Sequence, residues 1–295
     1  MNLIKPPQMS SGALVAFVKR LTHERVGHAG TLDPEAAGVL PIMVGRATRL
    51  LDFFSDHEKR YVAQITFGAS TDTQDAQGKV LERSDHLPDE MAIRAALPRF
   101  EGDILQCPPA YSAIKLNGKP LYERARKGEL IQTQPRPTRI DKIEYKGALS
   151  GDTHVLDISC GRGTYIRTLC HDLGAALGCP AHMRFLLRTH SGPFDIRDAV
   201  TVEEVARAAE ENRLNALLMP PDAPIQALRR ADVPEALKKP ALNGVALPAA
   251  AFDVEPGERA RVYCEGRLIG IAERRADKLV YLMMLTCAVD FERQE

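Results

Sequence analysis

The sequence predicts an α+β protein with a small all-β unit at its C-terminal end, and three observations support this. Helical and strand-like hydrophobic patterns are interspersed over residues 1–218. The proline-rich stretch Met219-Pro220-Pro221-Asp222-Ala223-Pro224 then interrupts the pattern as a linker would. Beyond it, the apolar segments are short and separated by turn residues, which is typical of small β domains. We therefore expect one domain over 1–220 and a second over 225–295.

The composition is that of a globular protein. The 295 residues are 44% hydrophobic and 26% charged, enough for one large domain and a small one. No apolar run is long enough to cross a bilayer or to form a signal peptide, so we expect a cytoplasmic protein without membrane contact. Six scattered cysteines favour free thiols over a disulfide framework. They are Cys107, Cys160, Cys170, Cys179, Cys264 and Cys287.

The charge is balanced overall but not locally. A net charge of zero argues against a protein that coats nucleic acid nonspecifically. Residues 113–146, however, contain nine Lys and Arg against four Asp and Glu, a net charge of +5. Such a segment is either a solvated helix face or a surface that contacts phosphates with salt-dependent affinity. The nine basic residues are Lys115, Lys119, Arg124, Arg126, Lys127, Arg136, Arg139, Lys142 and Lys146.

The first elements follow from capping residues and hydrophobic spacing. Ser10 and Ser11 predict the start of a helix, because an apolar stripe at helical spacing follows them. That stripe consists of Leu14, Phe17, Val18 and Leu21. An apolar helical stretch lies around Leu50, Leu51, Phe53 and Phe54. Residues 60–68 alternate between apolar and polar, which indicates a strand that Gly68 closes.

The remaining elements are predicted from the same signals. Helices are expected over 89–99, over Leu121–Lys127 after an Asn117-Gly118 turn, from Tyr165 to near Gly178, and from the Thr201 capping box to about Leu218. Strands are expected near 110–116 and over 137–147, 153–160 and 182–189. In the C-terminal unit we expect short segments over 245–251, 259–265, 268–272 and 280–285, with a hairpin turn at Glu265-Gly266-Arg267.

The run from Gly27 to Pro41 is the best candidate for a functional site. Its content of Gly, Pro and Ala argues against a regular helix or strand and predicts a stiff loop that holds one carboxylate, Asp33. Asp33-Pro34 also fits an ordinary turn or helix start, whereas a phosphate-binding P-loop is excluded because no Gly-Lys-Ser/Thr follows. Gly27, Gly30 and Gly38 permit backbone angles that are closed to other residues.

Several segments together resemble one family. The run GHAGTLDPEAAGVLPIMVGRAT resembles the signature loop of the TruB family of bacterial tRNA pseudouridine-55 synthases, and further segments resemble that family in the same order. They are KPPQMSS, KRYVAQITFGASTDTQDAQG, PPAYSAIKLNGKPLYERARKG, CGRGTYIRTLCHDLGAALGCPAH and FLLRTHSGPF, which together cover most of residues 3–195. One departure is Gln8, which stands where the family usually has glycine.

The resemblance implies a fold, a substrate and a reaction. The fold would be a pseudouridine synthase catalytic domain, with a mixed and largely antiparallel sheet, followed by a PUA-like RNA-binding domain. The reaction would isomerise the T-loop uridine at position 55 of tRNA after flipping the base out of its stack. This chemistry consumes nothing, so neither a cofactor nor a metal is expected. The partner would be the T-arm of tRNA, and we expect a monomer with no obligatory protein partner.

The resemblance also implies a set of site residues. Asp33 would be the catalytic aspartate, ionised at an ordinary pKa, and Arg167 would hold it by a bidentate contact. Whether Asp33 attacks C1′, adds to C6 or removes the C2′ proton stays open. Tyr61 would lie against the flipped uracil and take part in the final deprotonation. The remaining substrate contacts would be His28, which fills the space of the flipped base, Tyr165 and Leu186.

Other functions were weighed against this one. A tRNA-folding chaperone would bind the same RNA without needing the chemistry, and a guide-RNA-dependent relative would need partner proteins. A carboxylate-pair glycosidase is disfavoured because Glu35 is the only second acid in the loop. A zinc site is disfavoured because the spacings of a nearby Cys/His cluster match no standard pattern. That cluster is Cys160, Cys170, His171, Cys179 and His182.

Overall fold

The computed structural model describes residues 1–54, 58–109 and 133–286, and the backbone of 115–116 and 119–120. Most of the strand predicted near 110–116 and the helix predicted over 121–127 lie outside the described residues. The side chains of Lys115, Lys119, Arg124, Arg126 and Lys127, and the whole of Cys287, also lie outside them.

A large mixed sheet forms the centre of the N-terminal part. The strands here are β1 (Asn2–Lys5), β2 (Val26–His28), β3 (Ala37–Val44), β4 (Lys59–Phe67), β5 (Ala69–Thr71), β6 (Val80–Arg83), β7 (Gly102–Gln106), β8 (Lys115–Leu116), β9 (Lys119–Pro120), β10 (Arg136–Ala148), β11 (Thr153–Cys160), β12 (Ala181–Ser191) and β13 (Phe194–Asp195). Nine of them form a sheet in the order β1-β3-β12-β4-β11-β10-β7, with β2 beside β3 and β13 beside β12. In the described part of this sheet, only β3 and β12 pair in parallel. The predicted α+β class is therefore confirmed.

Short helices surround this sheet and follow the predicted caps. They are α1 (Ser11–Thr22), α2 (Leu51–Phe54), α3 (Glu90–Ala96), α4 (Ile166–Ala176) and α5 (Val202–Glu210). The Ser10 hydroxyl accepts the Ala13 N–H of α1, and Thr201 forms the predicted capping box. The prediction that the helix starting at the Thr201 capping box, α5, continues to about Leu218 is wrong. It ends at Glu210 because Asn212 adopts a left-handed φ of 55°, after which only the 3₁₀ turn Leu214–Leu217 follows.

The predicted strand pattern explains the core. In β4, the side chains of Tyr61, Ala63, Ile65 and Phe67 are all buried, as the alternation predicted. They join one hydrophobic cluster with Leu169 and Leu173 of α4. Because β4 and β12 are neighbours, Tyr61 lies directly opposite Arg188. The central strands thus bring residues from distant parts of the sequence to one place.

The C-terminal part is a second, smaller sheet. Its elements are β14 (Arg229–Asp232), α6 (Lys238–Leu242), β15 (Leu247–Pro248), β16 (Arg259–Cys264), β17 (Arg267–Arg275) and β18 (Lys278–Met284). The strand order is β14-β16-β17-β18-β15. The predicted hairpin turn is present, with positive φ at Glu265 and Gly266. The segment predicted over 245–251 is mostly not a strand, because after Pro248 the chain forms the 3₁₀ turn Ala249–Ala251. None of the described helices is long and apolar enough to span a membrane.

Candidate active site

The predicted loop is shorter than expected and is framed by strands. β2 pairs with β3 from Val26↔Val44 to His28↔Ile42, so only residues 29–36 lack regular structure. The prediction of an irregular run up to Pro41 is therefore wrong. Pro41 fits in β3 because its carbonyl accepts the Ala29 N–H at 2.9 Å, while proline gives up only one donor.

The glycines of this region have different reasons to be glycine. Gly30 and Gly38 have positive φ angles of 92° and 110°. A Cβ on Gly38 would also lie 2.2 Å from the backbone oxygen of Arg188, so β3 and β12 approach here as only glycine permits. Gly27 does not have a positive φ. It is limited by space, since a Cβ there would lie 2.9 Å from Cδ1 of Leu51.

Asp33 and Arg167 form a two-point ion pair. Nε of Arg167 lies 3.0 Å from Oδ2 of Asp33, and Nη2 donates to Oδ1 at 3.2 Å. The Arg167 side chain is 6% exposed, whereas that of Asp33 is 37% exposed. The buried guanidinium, in the first turn of α4, therefore fixes the orientation of a carboxylate that a substrate can still reach.

Arg167 has further partners that the sequence did not reveal. Its Nη1 donates to the Thr73 carbonyl at 3.2 Å and lies 3.7 Å from Oδ2 of Asp75. Asp75 belongs to the segment KRYVAQITFGASTDTQDAQG, but nothing in the spacing linked it to a residue 92 positions away. The guanidinium thus lies between two carboxylates, of which Asp33 is the more exposed.

The protonation of Asp33 differs from the prediction. Burial raises the pKa of Asp33 above its ordinary range, and the negative charge of Asp75 adds to that rise. The positive charges of Arg167 and Lys5 act in the opposite direction on this pKa but do not cancel it. The prediction of an ordinary pKa is therefore wrong, because the loop removes more water from the carboxylate than the sequence indicated.

The side chain of Lys5 anchors the loop that contains Asp33. The side chain is fully buried, and Nζ donates to the carbonyls of Pro6, Met9 and Pro34 at 2.9, 2.6 and 3.0 Å. Burial lowers the pKa of Lys5 to about 8. Since Pro34 follows Asp33 directly, this ammonium helps to fix the carboxylate. The only sequence signal was the Lys-Pro pair in KPPQMSS.

The segment between Lys5 and α1 contains a residue with a left-handed backbone conformation. Gln8, which replaces the family's usual glycine, has a φ of 63°. This left-handed conformation favours glycine, which explains the family's preference. The hydroxyl of Ser11 meanwhile donates to the Leu32 carbonyl and accepts the Leu32 N–H, both at 3.0 Å. The N-terminal segment therefore fixes the loop on both sides of Asp33.

A second buried arginine supports Tyr61. Arg188 is 1% exposed, and its guanidinium donates to the carbonyls of Val39 at 2.7 Å and Gly30 at 2.9 Å. It also lies directly opposite Tyr61 on the neighbouring strand, so that its positive charge acts on the phenol. Burial raises the pKa of Tyr61, and Arg188 opposes that rise only in part. Tyr61 is therefore a neutral phenol at neutral pH. Sequence reasoning missed Arg188, although it lies within FLLRTHSGPF.

A buried amide anchors the start of α4. Gln106, at the end of β7, is 3% exposed. Its side chain accepts the N–H of Tyr165 at 2.9 Å and donates to the carbonyl of Tyr165 at 3.2 Å. Tyr165 is the residue that precedes α4, so Gln106 positions the turn that contains Arg167. Gln106 gave no signal in the sequence.

Five of the six predicted site residues line one cavity of about 280 Å³. They are Asp33, Tyr61, Tyr165, Arg167 and Leu186. His28 lies in an adjoining cavity of about 450 Å³, which shares Gly30, Lys59, Gly163 and Tyr165 with the first. Burial lowers the pKa of His28, and within the described residues its buried Nδ1 has no hydrogen-bond partner.

The side chains of the Cys/His cluster are buried thiols or are hydrogen-bonded to other protein groups. Cys160 and Cys170 are buried thiols, and burial raises their pKa values to about 11 and about 12. His171 pairs with Asp172 at 3.2 Å, and Nδ1 of His182 lies 2.8 Å from the Ala69 carbonyl. Over residues 1–54, 58–109 and 133–286, no group of three or more His, Cys, Asp or Glu side chains could hold a metal ion.

Two family models match consecutive parts of this chain. Residues 18–166 match the TruB family pseudouridylate synthase N-terminal domain. Residues 167–226 match the tRNA pseudouridylate synthase B C-terminal domain. The first match includes the loop with Asp33, and the second begins at Arg167. The sheet β14–β18 lies beyond both matches.

Curated relatives match most of the chain. A tRNA pseudouridine synthase B from Dinoroseobacter shibae is 40% identical over 281 residues, 93% of this chain and 91% of the relative. The corresponding proteins of Alkaliphilus oremlandii and Symbiobacterium thermophilum are 42% and 45% identical, over 92% and 83% of this chain and 91% and 82% of theirs.

Solved structures show the same fold. A chain of a Cbf5–Nop10–Gar1 complex matches with a TM-score of 0.76 and 23% identity, over 99% of this chain and 86% of that one. A chain of an H/ACA RNP bound to a substrate RNA containing 2′-deoxyuridine matches with a TM-score of 0.74 and 22% identity, over 97% and 84%. Both similarities extend through the C-terminal sheet.

Proposed function

The chain belongs to the TruB family of pseudouridylate synthases, and we propose that it isomerises the T-loop uridine at position 55 of tRNA. Formation of pseudouridine in tRNA follows from the family and from relatives named tRNA pseudouridine synthase B that are 40–45% identical. The choice of position 55 rests on the resemblance of the signature loop.

One observation supports this proposal above the others. Asp33, whose side chain is 37% exposed, lies in the wall of a cavity and is held at both oxygens by a buried arginine. In the reaction, the N1–C1′ bond of uridine breaks, the uracil rotates, a C5–C1′ bond forms, C5 loses its proton and N1 gains one from solvent, so the product is an isomer of the substrate. An oriented anion at the ribose is what the first of these steps requires.

We assign the initiating role to Asp33 and the orienting role to Arg167. Attack on C1′, addition to C6 and removal of the C2′ proton all start from the same ionised carboxylate. Because burial raises the pKa of Asp33, the positive charge of Arg167 is needed to keep the carboxylate ionised as water leaves the cavity.

The apolar walls of the cavity suit a flipped base. Tyr61, Tyr165 and Leu186 line it together, and stacking on an aromatic ring contributes about 1–3 kcal/mol per base. We propose that Tyr61 meets the uracil as a neutral phenol, with Arg188 opposite it on the neighbouring strand. His28, an imidazole kept neutral by burial, would stack in the space that the base leaves.

Positive side chains beside this cavity suit the RNA backbone. Lys59, Arg136 and Arg162 line the adjoining cavity together with His28. We propose that they contact phosphates near the flipped nucleotide, which makes affinity fall with increasing salt. Action without a protein partner, as a cytoplasmic monomer, and RNA contacts by the PUA-like region 225–295 remain predictions. A role as chaperone alone would not require the buried pair of Asp33 and Arg167.

The proposed substrate can be tested with the purified chain alone. The assay is tritium release from a tRNA transcript labelled with [5-³H]uridine, because C5 loses its hydrogen in the reaction. We expect one tritium released per tRNA, and none when cytidine replaces uridine at position 55. Equal release from the cytidine transcript would contradict the choice of position. Release by the purified chain alone would exclude a guide-dependent enzyme, whereas absence of release with tight tRNA binding would favour the chaperone.

A further inference from the structure

One short segment lies between the two sheets and touches both. It consists of the 3₁₀ turn Gly45–Leu50 and α2, and we call residues 45–54 the bridge segment. It follows directly on β3, the strand that leaves the catalytic loop. Its two faces pack into different hydrophobic clusters.

The first face is buried against the C-terminal sheet. Leu50 is fully buried in one cluster with residues of the linker and of the second sheet, among them Ile225, Ile271 and Leu285. Nη1 of Arg49 donates to the Met284 carbonyl at 2.8 Å. The guanidinium of Arg259 in β16 lies 5.8 Å from the ring centre of Phe53. The C-terminal sheet is therefore held by packing and by polar contacts at the same segment.

The second face is packed against the catalytic loop. Phe54 is 3% exposed and shares a cluster with Ala29, at the start of the loop, and with Phe194, whose ring centre is 5.5 Å away. Cδ1 of Leu51 occupies the space that a side chain at position 27 would need. Leu51 and Phe54 also line the cavity that contains His28.

We propose that the C-terminal sheet positions the catalytic loop through the bridge segment, with Ile271 and Leu50 as positioning residues for the reaction. This inference rests on the proposed function. Close-packed interiors transmit small shifts instead of absorbing them. A displacement of about 1 Å at reacting groups can lower a rate about a hundredfold. The second sheet would thus contribute to turnover as well as to any RNA binding.

The strand β17 offers a matched pair of variants. Ile271 and Ile269 are both fully buried, but Ile271 belongs to the cluster of Leu50, whereas Ile269 belongs to a cluster made only of C-terminal residues. Replacing either by alanine removes the same atoms. We expect both I271A and I269A to lower the melting temperature. Only I271A should lower the single-turnover rate at saturating tRNA, by about tenfold or more, while tRNA affinity stays unchanged.

The readouts separate positioning from general destabilisation. Equal rates for the two variants, or a loss of tRNA affinity at an unchanged rate, would overturn the inference. If the alanine variants do not fold, I271V and I269V provide the same comparison with a smaller cavity, and equal rates would again overturn it. Tritium release by the wild type tests the proposed function separately, since its absence would reject that function whatever the variants do.

Discussion

The cations around the catalytic loop and those of the C-terminal sheet are satisfied in opposite ways. Lys5, Arg167 and Arg188 are 0%, 6% and 1% exposed. Between them they donate to backbone carbonyls of Pro6, Met9, Pro34, Thr73, Val39 and Gly30. Only Arg167 of the three has a carboxylate within 4 Å in the described residues. This region thus holds positive charge in place mainly with neutral backbone carbonyls, and Arg167 contacts carboxylates in addition.

In the C-terminal sheet, cations pair with carboxylates at the surface. The side chains of Arg229, Arg230 and Arg275 are 42%, 49% and 58% exposed. Their partners are Glu258, Asp232 and Glu273. Two arginines of this sheet differ. Arg261 is 10% exposed at its side chain and pairs with Asp222 of the linker. Arg274 donates to the carbonyls of Val254 at 2.7 Å and Ala276 at 3.4 Å.

The difference shows where the fold accepts an energetic cost. Burying a cation is unfavourable unless its donors are satisfied, and exposed ion pairs contribute little. Buried cations beside the loop are therefore best explained by the positive potential they create around Asp33 and Tyr61. The exposed pairs need no such explanation. Three predictions follow from this difference between the two regions, in order of decreasing expected effect.

Of these three predictions, R167K has the largest expected effect. Lysine keeps the positive charge but cannot contact both oxygens of Asp33 at once. We expect the single-turnover rate to fall about a hundredfold, as for a misplaced catalytic group, with tRNA affinity retained. Near-normal turnover would mean that charge alone, without the two-point contact, is sufficient. Filter binding of the same tRNA provides the control for folding.

Two arginine variants, one in each region, test the difference in energetic cost between buried and exposed cations. In R188L, the buried carbonyl of Val39 loses its donor, which costs about 1–3 kcal/mol, and the less buried bond to the Gly30 carbonyl is lost as well. In R229L, two exposed pairs are lost, those with Asp253 and Glu258, and each contributes at most about 1 kcal/mol. Urea unfolding should therefore show a clearly larger loss for R188L. Equal losses would remove the distinction between the two regions.

The smallest effect is a dependence on pH in which activity and stability move in opposite directions. Because burial raises the pKa of Asp33, the native state holds this proton more tightly than the unfolded state. As pH falls through that pKa, activity is lost while the contribution of Asp33 to stability rises. Lys5 has a native pKa of about 8 against an ordinary 10.5. Its contribution to stability therefore rises from about pH 8 to 10.5, while loss of its charge lowers activity.

Initial rates and urea unfolding across the pH range would check these signs. The K5M variant is the control, because it should lack the alkaline decline in activity whatever its maximal rate. An alkaline decline that persists in K5M would have another cause.

Local signals predicted most of the elements. The alternation in β4, the caps at Ser10 and Thr201, and the turn at Glu265-Gly266 all depend on residues close in sequence, and all are found in the structure. The first residues of β3 were missed because Gly38 and Pro41 disfavour strands by composition. They are tolerated here because Gly38 lies against the backbone of Arg188, a contact that only the tertiary structure creates.

The sequence identified the site residues that lie at the positions of the family motif. It did not identify the residues that support them through tertiary contacts. Asp33, Arg167 and Tyr61 were identified and lie around one cavity, although their roles remain predictions. Lys5, Gln106 and Arg188 support these residues from 28 to more than 120 positions away in the sequence. No spacing rule connects positions so far apart, so only the fold could show the supporting contacts. The direction of the Asp33 pKa shift was missed for the same reason.

The most direct test of the account compares the wild type with D33N in tritium release from [5-³H]uridine tRNA. Asparagine preserves the shape of the side chain but removes the charge that the buried cations surround. We predict release by the wild type, none above background by D33N, and tRNA affinity within a few-fold of the wild type for both. Turnover by D33N would contradict the central claim that an oriented, ionised Asp33 starts the reaction.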